Sequence, residues 1–173
     1  VDMPGDVQVL DVGGRAHLDL GELSPLRRLR VLTVREVRSV DLRLPHHVPV
    51  ESLGVQVPAV DLTGLTGHPT LWSLTVTGPT EPVSIAPLRG LPALERLDLS
   101  GVDVTDLELV ATLPRLRVLI LDARQWQHLR DHDAVPANLA AAELAGTNTF
   151  EVEADWAARF ARAIPGLVLR GRL

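Results

Sequence analysis

A short polar segment, HLRDHD at residues 128–133, holds the residues best suited to chemistry. His128 and His132 stand four residues apart, so a helix would place both imidazoles on one face, and Asp131 and Asp133 add carboxylates. Imidazole and carboxylate groups at this spacing can bind Zn²⁺. The alternative is an outward-facing segment whose polar side chains simply meet water, and this interpretation is favoured. We therefore predict no metal ion and no cofactor.

Three other candidate sites carry weaker signals. Gly13–Gly14 follows an apolar stretch but lacks the lysine and the helix of a phosphate-binding loop. His46–His47 lies between two prolines in an expected outer loop. The arginines of residues 27–43 alternate with acidic residues and have no aromatic neighbours for base stacking, which predicts local ion pairs. The chain contains no GxGxxG, Walker, HExxH or GxSxG signature, so we predict no enzymatic activity.

The composition excludes several functional classes. With 173 residues and 46% hydrophobic content, the chain can form one globular domain with a substantial core. A net charge of −5 argues against a nucleic-acid partner. The absence of cysteine excludes disulfides and thiolate chemistry. No apolar run approaches the roughly 18 residues of a membrane span, and no signal-peptide pattern is present. We expect a cytoplasmic protein without membrane contact.

One apolar skeleton, Leu-x-x-Leu-x-Leu with Val or Ala allowed, recurs along the chain. It is clearest in LPALERLDLS (91–100) and LPRLRVLILD (113–122). Its copies are 21–23 residues apart and begin at Val7, Leu29, Val50, Leu71, Leu94, Leu116 and Leu139. The last two apolar positions alternate as in a strand with one buried face. One such strand cannot bury that face alone, but stacked copies form a parallel sheet over a continuous core.

The skeleton and its period resemble the leucine-rich repeat family. The resemblance implies an α/β solenoid: an arc with a curved parallel β-sheet, 3₁₀ helices and turns on the convex side, and a helical C-terminal cap. We expect six to seven repeats over residues 1–149 and a helix–strand cap over 150–173, with the helix at 155–164. Trp126 aligns with convex positions that pack inward, so it is expected in the core.

Two departures from the family pattern are expected to affect the turns. Leucine-rich repeats usually place Asn three residues after the last strand Leu, and no copy here has one. Apolar packing or backbone hydrogen bonds must replace the usual Asn ladder. The segment TGPTEPVSIAP (77–87) carries three prolines and is expected to bulge outward.

The residues between the buried skeleton positions point to the concave side and line up in columns that vary from copy to copy. From these columns we predict the partner-binding residues Arg30, Thr33, Glu51, Trp72, Thr75, Glu95, Arg96, Asp98, Arg117 and Ile120. An exposed Trp72 near the middle of the array is typical of a binding hot spot. The alternative is that residues 78–87 fold over Trp72 as local packing.

Residues 87–119 are also similar in sequence to short repeats of actinobacterial multidomain proteins, including the sensor regions of NACHT-type signalling ATPases. The stretch reads PLRGLPALERLDLSGVDVTDLELVATLPRLRVL. That resemblance implies a non-catalytic sensing or interaction module. Its partner is a protein, a peptide or an adjacent domain. Only Val1–Asp6 precede the first strand, so we expect an exposed sheet edge at this end. From that uncapped edge we expect the chain to be the C-terminal part of a longer protein. The alternative is a free-standing scaffold that homodimerises weakly through this N-terminal edge.

Overall fold

Eight parallel strands, arranged in chain order, form the main sheet of the protein. The structure is a computed structural model and describes residues 6–146, residue 158 and the strand 168–171. Two further short strands form a separate parallel pair. The ten strands are β1 (Val9–Val12), β2 (His17–Asp19), β3 (Val31–Arg35), β4 (Ser39–Asp41), β5 (Ser52–Gln56), β6 (Ser73–Thr77), β7 (Arg96–Asp98), β8 (Val118–Leu121), β9 (Ala141–Leu144) and β10 (Val168–Gly171). The pair consists of β2 and β4.

The strand register matches the sequence skeleton in all seven copies. Leu10 of β1 aligns with Leu32 of β3, and the same skeleton position continues across the sheet through Leu53, Leu74, Leu97, Leu119 and Ala142. Each repeat therefore stacks on the previous one without a slip. A slip by one residue would turn every apolar side chain of a strand to the other face. The leucine-rich repeat solenoid with a parallel sheet is confirmed.

One apolar core runs beneath the whole sheet. The skeleton leucines and valines of the strands are buried together with the apolar residues of the connections on the other side. Burying each such side chain stabilises the fold by about 1.5–3 kcal/mol. Trp126 is completely buried in this core, as predicted, and its indole Nε1 donates a hydrogen bond to the backbone carbonyl of Glu143 over 3.0 Å.

Most connections between the strands of the main sheet contain a short 3₁₀ helix, as expected for a repeat of this length. In the first and the third connection an aspartate caps the helix: Asp19 accepts a hydrogen bond from the Gly21 amide, and Asp61 accepts one from the Thr63 amide. These caps satisfy amides that the helix leaves unpaired. The 3₁₀ helices are Leu20–Leu23, Leu62–Leu65, Ala86–Gly90 and Leu107–Thr112.

One connection differs from the expectation, because it forms a nine-residue α-helix, α1 (Ala123–Asp131). A capping box starts α1. The Asp122 carboxylate accepts from the amides of Arg124 and Gln125, and the Gln125 side-chain oxygen accepts from the Asp122 amide over 2.8 Å. Both ends of the box are closed by hydrogen bonds, which favours a full helix over a 3₁₀ turn.

The missing Asn ladder is replaced by apolar packing, as expected, and by a glutamine side chain that was not predicted. Val37 and Val102 stand at the Asn positions of their repeats and are buried in the core. Next to the last Asn position, the Gln125 side chain donates to the carbonyls of Leu99 and Val102, both over 2.8 Å. A glutamine one residue later thus binds neighbouring backbone groups, as the family's asparagine usually does.

The expected bulge at residues 77–87 is not observed. Val83 pairs with Val104 of the next repeat, and its amide donates to the Asp103 carbonyl over 2.8 Å. The side chains of Val83 and Ile85 are buried. These backbone and core contacts hold the proline-rich segment against its neighbour, and the prolines occupy positions where no amide donor is needed.

At the C-terminal end, β10 continues the main sheet by pairing in parallel with β9. The helix predicted for residues 155–164 lies outside the described residues, apart from residue 158. The division of the chain into a solenoid over 1–149 and a cap over 150–173 stays a prediction.

Candidate functional site: the outward face of the sheet

The side of the main sheet that faces away from the core, here called the outward face, presents a column of side chains between the two buried skeleton positions. Strand pairing places these residues side by side across the sheet. The column, here called the central column, consists of Asp11, Thr33, Gly54, Thr75, Asp98, Ile120 and Glu143. Solenoids of this kind bind partners on the concave surface that such columns form.

The central column is exposed at one end and buried at the other. On β1, β3, β5 and β6, here called the open half, its residues are exposed or partly exposed. On β7, β8 and β9, here called the closed half, Asp98 and Glu143 are each only 5% exposed and Ile120 is completely buried. Ser73, in the adjacent column, is the buried exception on the open half. Surface for a partner is therefore concentrated on the open half.

The buried polar residues of the closed half have partners within the chain. The Asp98 carboxylate accepts from the Ser100 amide over 3.1 Å and from the Ser100 hydroxyl over 2.8 Å. Glu143 faces Arg96, with a guanidinium nitrogen 3.7 Å from a carboxylate oxygen. These contacts offset the cost of removing charged groups from water. Asp98 is thus bonded within the chain, and its predicted contact with a partner stays a prediction.

Most of the predicted partner-binding residues remain accessible. Exposed or partly exposed side chains belong to Arg30, Thr33, Glu51, Trp72, Thr75, Glu95, Arg96 and Arg117. Two predicted residues, Asp98 and Ile120, are buried. Ile120 presents no side-chain surface in this structure because it is covered completely. The sequence pattern identifies the outward-pointing position of each strand but does not show which of those positions are covered.

Trp72 is 43% exposed and lies just before β6, at the end of the strands where the chain enters the sheet. The backbone around it is held firmly. Its amide donates to the Glu51 carbonyl over 3.0 Å, and its carbonyl accepts from the Glu95 amide over 2.9 Å. An aromatic side chain on so ordered a backbone loses little freedom when it binds a partner, which is typical of a hot spot.

Trp72 shares a shallow depression, here called the Trp72 patch, with residues of the neighbouring repeats. The depression is lined by Glu51, Thr70, Trp72, Ala93, Glu95 and Arg115. No residue of the segment 78–87 lines it, so the alternative in which that segment covers Trp72 is not supported. Thr70, Ala93 and Arg115 were not predicted. The signal was present, because each of the three stands two residues before a predicted partner-binding residue, namely Trp72, Glu95 and Arg117.

Ion pairs border the Trp72 patch. Arg30 donates to Glu51 over 2.6 Å, and a guanidinium nitrogen of Arg115 lies 3.8 Å from a Glu95 carboxylate oxygen. All four side chains are largely exposed, so each pair contributes little to stability. The arrangement is an apolar ring surrounded by paired charges, which resembles the apolar core and polar rim of a protein interface.

Three of the six arginines within residues 27–43, Arg30, Arg35 and Arg43, form ion pairs. Arg35 contacts Asp11, with the closest nitrogen and oxygen 2.7 Å apart, and Arg43 contacts Asp41. Hydrogen bonds from Arg43 hold the pKa of the Asp41 carboxyl below its usual value. The positive charges in these pairs are thus matched locally.

The segment HLRDHD is the second place where titratable side chains meet. His128 lies on α1, and its Nε2 donates to Glu108 Oε1 over 2.6 Å. His132 follows at the C-terminal end of α1, and its ring centre lies 4.2 Å from that of His128. The interpretation that these polar side chains only meet water was wrong for His128, because the preceding repeat supplies Glu108. Nothing in the local sequence points to a residue twenty positions away.

Hydrogen bonding determines the state of the carboxylate in this cluster. The pKa of Glu108 is lowered from its ordinary value, first by a hydrogen bond from its own backbone amide and second by the His128 side chain. Asp131 instead accepts a hydrogen bond from Gln127 over 2.6 Å. Among the described residues, one ligand atom each from Glu108, His128 and His132 lie within 4.8 Å of one another, close enough to share a metal ion.

The remaining candidates are structural. His47 Nε2 donates to the Ser24 carbonyl over 2.9 Å, and the ring of His46 meets the buried ring of His68 edge-on with centres 5.9 Å apart. Gly14 has a φ of 68°, so it supplies the left-handed turn that follows β1. None of these residues was predicted to act chemically.

Comparison with protein-family models and with curated proteins gives no match. Among solved structures, the chain is similar to an internalin from Listeria monocytogenes, with 15% sequence identity and a TM-score of 0.34. The matched region covers 86% of this chain and 55% of the internalin, so the chain spans about half of that protein's length. The assignment of the repeat fold rests on the strand pairing described above. Within the described residues, no helix has the length and apolar character needed to cross a membrane.

Proposed function

We propose that this chain is a non-catalytic protein-interaction module that binds a protein or peptide partner through the Trp72 patch and the adjoining open half of its outward face. The observation that carries the proposal is Trp72, a large aromatic side chain that is 43% exposed on an ordered sheet. Trp is among the residues that most often dominate the energy of protein interfaces. An apolar ring surrounded by exposed ion pairs suits a protein surface better than a nucleic acid, which requires unpaired positive charge.

The finer proposal concerns the setting of the module. We propose that it is the sensor part of a multidomain bacterial signalling or defence protein, in which the partner is a ligand or an adjacent domain. A cytoplasmic location belongs to the same proposal. Support comes from the resemblance of residues 87–119 to repeats in the sensor regions of NACHT-type ATPases.

Site-specific crosslinking tests the location of the binding surface. A benzophenone amino acid in place of Arg115 puts the reactive group in the Trp72 patch and leaves Trp72 intact. The same amino acid in place of Gln127, which is exposed on α1, is the matched control. In extracts of the source cells we expect a discrete adduct from position 115, its loss when Trp72→Ala is added, and none from position 127. Equal adducts from both positions would contradict the proposed surface.

A second candidate function, a scaffold that homodimerises, is favoured by the N-terminal edge of the sheet. Within the described residues β1 pairs only with β3, and the side chain of Val9 is 68% exposed. An open strand edge with an exposed valine can pair with a second copy of itself. Light scattering over a range of concentrations tests this. Dimers that disappear in Val9→Lys support the scaffold, whereas a monomer at every concentration rules it out.

A further inference from the structure

We propose that Glu108, His128 and His132 form a binding site for a divalent first-row transition metal ion such as Zn²⁺. Each residue supplies one possible ligand atom, and these three atoms all lie within 4.8 Å of one another. Two imidazoles and a carboxylate are ligands that Zn²⁺ prefers, and three protein ligands leave a fourth position open to water. The site lies on the face of the solenoid opposite the outward face of the sheet, so it is separate from the Trp72 patch.

The helix places the two histidines together. His128 is in the last turn of α1, and His132 is its C-cap residue, four positions later. This is the spacing at which helical side chains are neighbours on one face. The capping box at Asp122 fixes where α1 begins and therefore which of its residues face the 3₁₀ helix Leu107–Thr112 of the preceding repeat.

A backbone hydrogen bond orients His132 for metal binding. His132 Nδ1 donates to the His128 carbonyl over 2.9 Å, so in the neutral ring the lone pair lies on Nε2. Metal-bound histidines commonly use their second ring nitrogen in this way, because the hydrogen bond selects the tautomer and fixes the ring. A histidine with no such partner would have to be ordered by the metal itself.

Glu108 supplies the third ligand from a different repeat. Its Oε1 lies 2.6 Å from His128 Nε2, so the two atoms already face each other across a single proton. A metal ion would take the place of that proton, with a distance of about 2.0–2.2 Å to each ligand atom. The side chains of His128 and Glu108 are 42% and 40% exposed, so they can move apart by the small amount required.

Metal binding would crosslink two neighbouring repeats. Glu108 belongs to the connection after β7, and both histidines belong to the connection after β8. A shared ion would therefore join two successive repeats on the side away from the main sheet. Because the ion binds only when both connections are in place, it would stabilise the folded chain in proportion to its concentration relative to its dissociation constant.

Calorimetric titration with Zn²⁺, in parallel with the visible absorption of Co²⁺, tests the site. The chain offers a matched control, since His46 and His47 are also a pair of neighbouring histidines. We compare the wild type, His128→Ala/His132→Ala, Glu108→Gln and His46→Ala/His47→Ala. Circular dichroism and melting without metal establish that each variant is folded. Glu108→Gln keeps the size of the side chain and affects folding least.

We expect one Zn²⁺ per chain in the wild type and in the His46→Ala/His47→Ala control. We expect no binding in His128→Ala/His132→Ala, and affinity lower by roughly tenfold or more in Glu108→Gln. Zn²⁺ should raise the melting temperature of the wild type and of the control only. The proposal is overturned if the wild type binds no Zn²⁺, if the control pair accounts for the binding, or if folded Glu108→Gln binds as tightly as the wild type.

Discussion

The open and closed halves of the outward face share one skeleton and one register, yet their central columns differ in exposure. On the open half the column is small or polar and faces solvent, from Asp11 to Thr75. On the closed half Asp98, Ile120 and Glu143 are buried. The apolar skeleton therefore determines how the repeats stack, but the residues between its positions determine what the surface offers.

Two tryptophans also differ in exposure between the two halves. Trp126 lies in the core beneath the closed half, completely buried, with its indole nitrogen bonded to the Glu143 carbonyl. Trp72 lies on the surface of the open half, and 43% of it is exposed. One stabilises the fold, and the other is available for a partner. Substitutions at these two positions should therefore affect different properties of the protein.

The largest expected effect is the loss of stability in Trp126→Ala. Truncation leaves a large cavity and removes the indole donor to the Glu143 carbonyl, so we expect a cost of about 3–5 kcal/mol in the free energy of unfolding. Trp72→Ala removes exposed surface and should change that free energy by less than about 1 kcal/mol. Urea denaturation of both variants measures the difference. Similar losses for the two variants would show that Trp72 is a core residue.

Gln125→Ala should cause the second-largest loss of stability. The variant removes the amide that bonds the Leu99 and Val102 carbonyls and also opens the capping box of α1. Buried polar groups left unpaired cost about 1–3 kcal/mol. Gln127→Ala is the control, because Gln127 is exposed on the same helix and should cost less than about 0.5 kcal/mol. Equal unfolding free energies for the two variants would mean that Gln125 does not replace the Asn ladder.

The core beneath the open half should be sensitive to pH through His68, which is completely buried. Burial is the largest cause that lowers the pKa of His68 from its ordinary value of 6.5, although the Val48 and Pro45 carbonyls favour the charged ring. Because the folded pKa is below the unfolded one, this contribution to stability is complete above pH 6.5 and is lost as the pH falls below it. Unfolding by urea at pH 7.5 and pH 5.5 measures the loss.

His68→Leu is the matched variant for this prediction. It removes the ionisable ring and keeps an apolar side chain in the core. Its stability should fall less between the two pH values than that of the wild type. If both proteins lose the same stability, other groups account for the pH dependence.

The smallest effects should come from the ion pairs, and they should differ between the halves. Arg96→Ala removes the guanidinium group that lies 3.7 Å from the buried Glu143 carboxylate, at a cost of about 1 kcal/mol. Arg30→Ala removes an exposed pair with Glu51 and should cost less than about 1 kcal/mol. Added salt should weaken only the exposed pair noticeably. A larger loss from Arg30→Ala would reverse the assignment of the two halves.

The sheet was predictable from the sequence because its signal repeats seven times at a nearly constant period. Each copy of the skeleton fell on a strand, and the columns followed from the alternation of side chains along it. The helix α1 was not predicted, because the short repeat favours 3₁₀ turns and the capping box that overrides them needs only Asp122 and Gln125. The stacking of residues 77–87 depends on contacts with the next repeat, which no local pattern shows.

The candidate sites were predictable only in part. Trp72 stood out as an aromatic residue at a position that points away from the core. The approach of Glu108 to His128 joins two repeats, so it emerges only when the repeats are stacked. The repeat pattern does not show the complete burial of Ile120 either. Periodicity predicts the direction of a side chain, but not what covers it or what meets it.

The most direct test of the central claim is the affinity of the crosslinked partner for the wild type and for two variants, measured by titration calorimetry. If the Trp72 patch is the binding surface, Trp72→Ala should weaken binding by at least 2 kcal/mol, which is about 30-fold. Gln127→Ala, on the opposite side of the solenoid, should bind within about twofold of the wild type. Unchanged affinity in a folded Trp72→Ala variant would contradict the account.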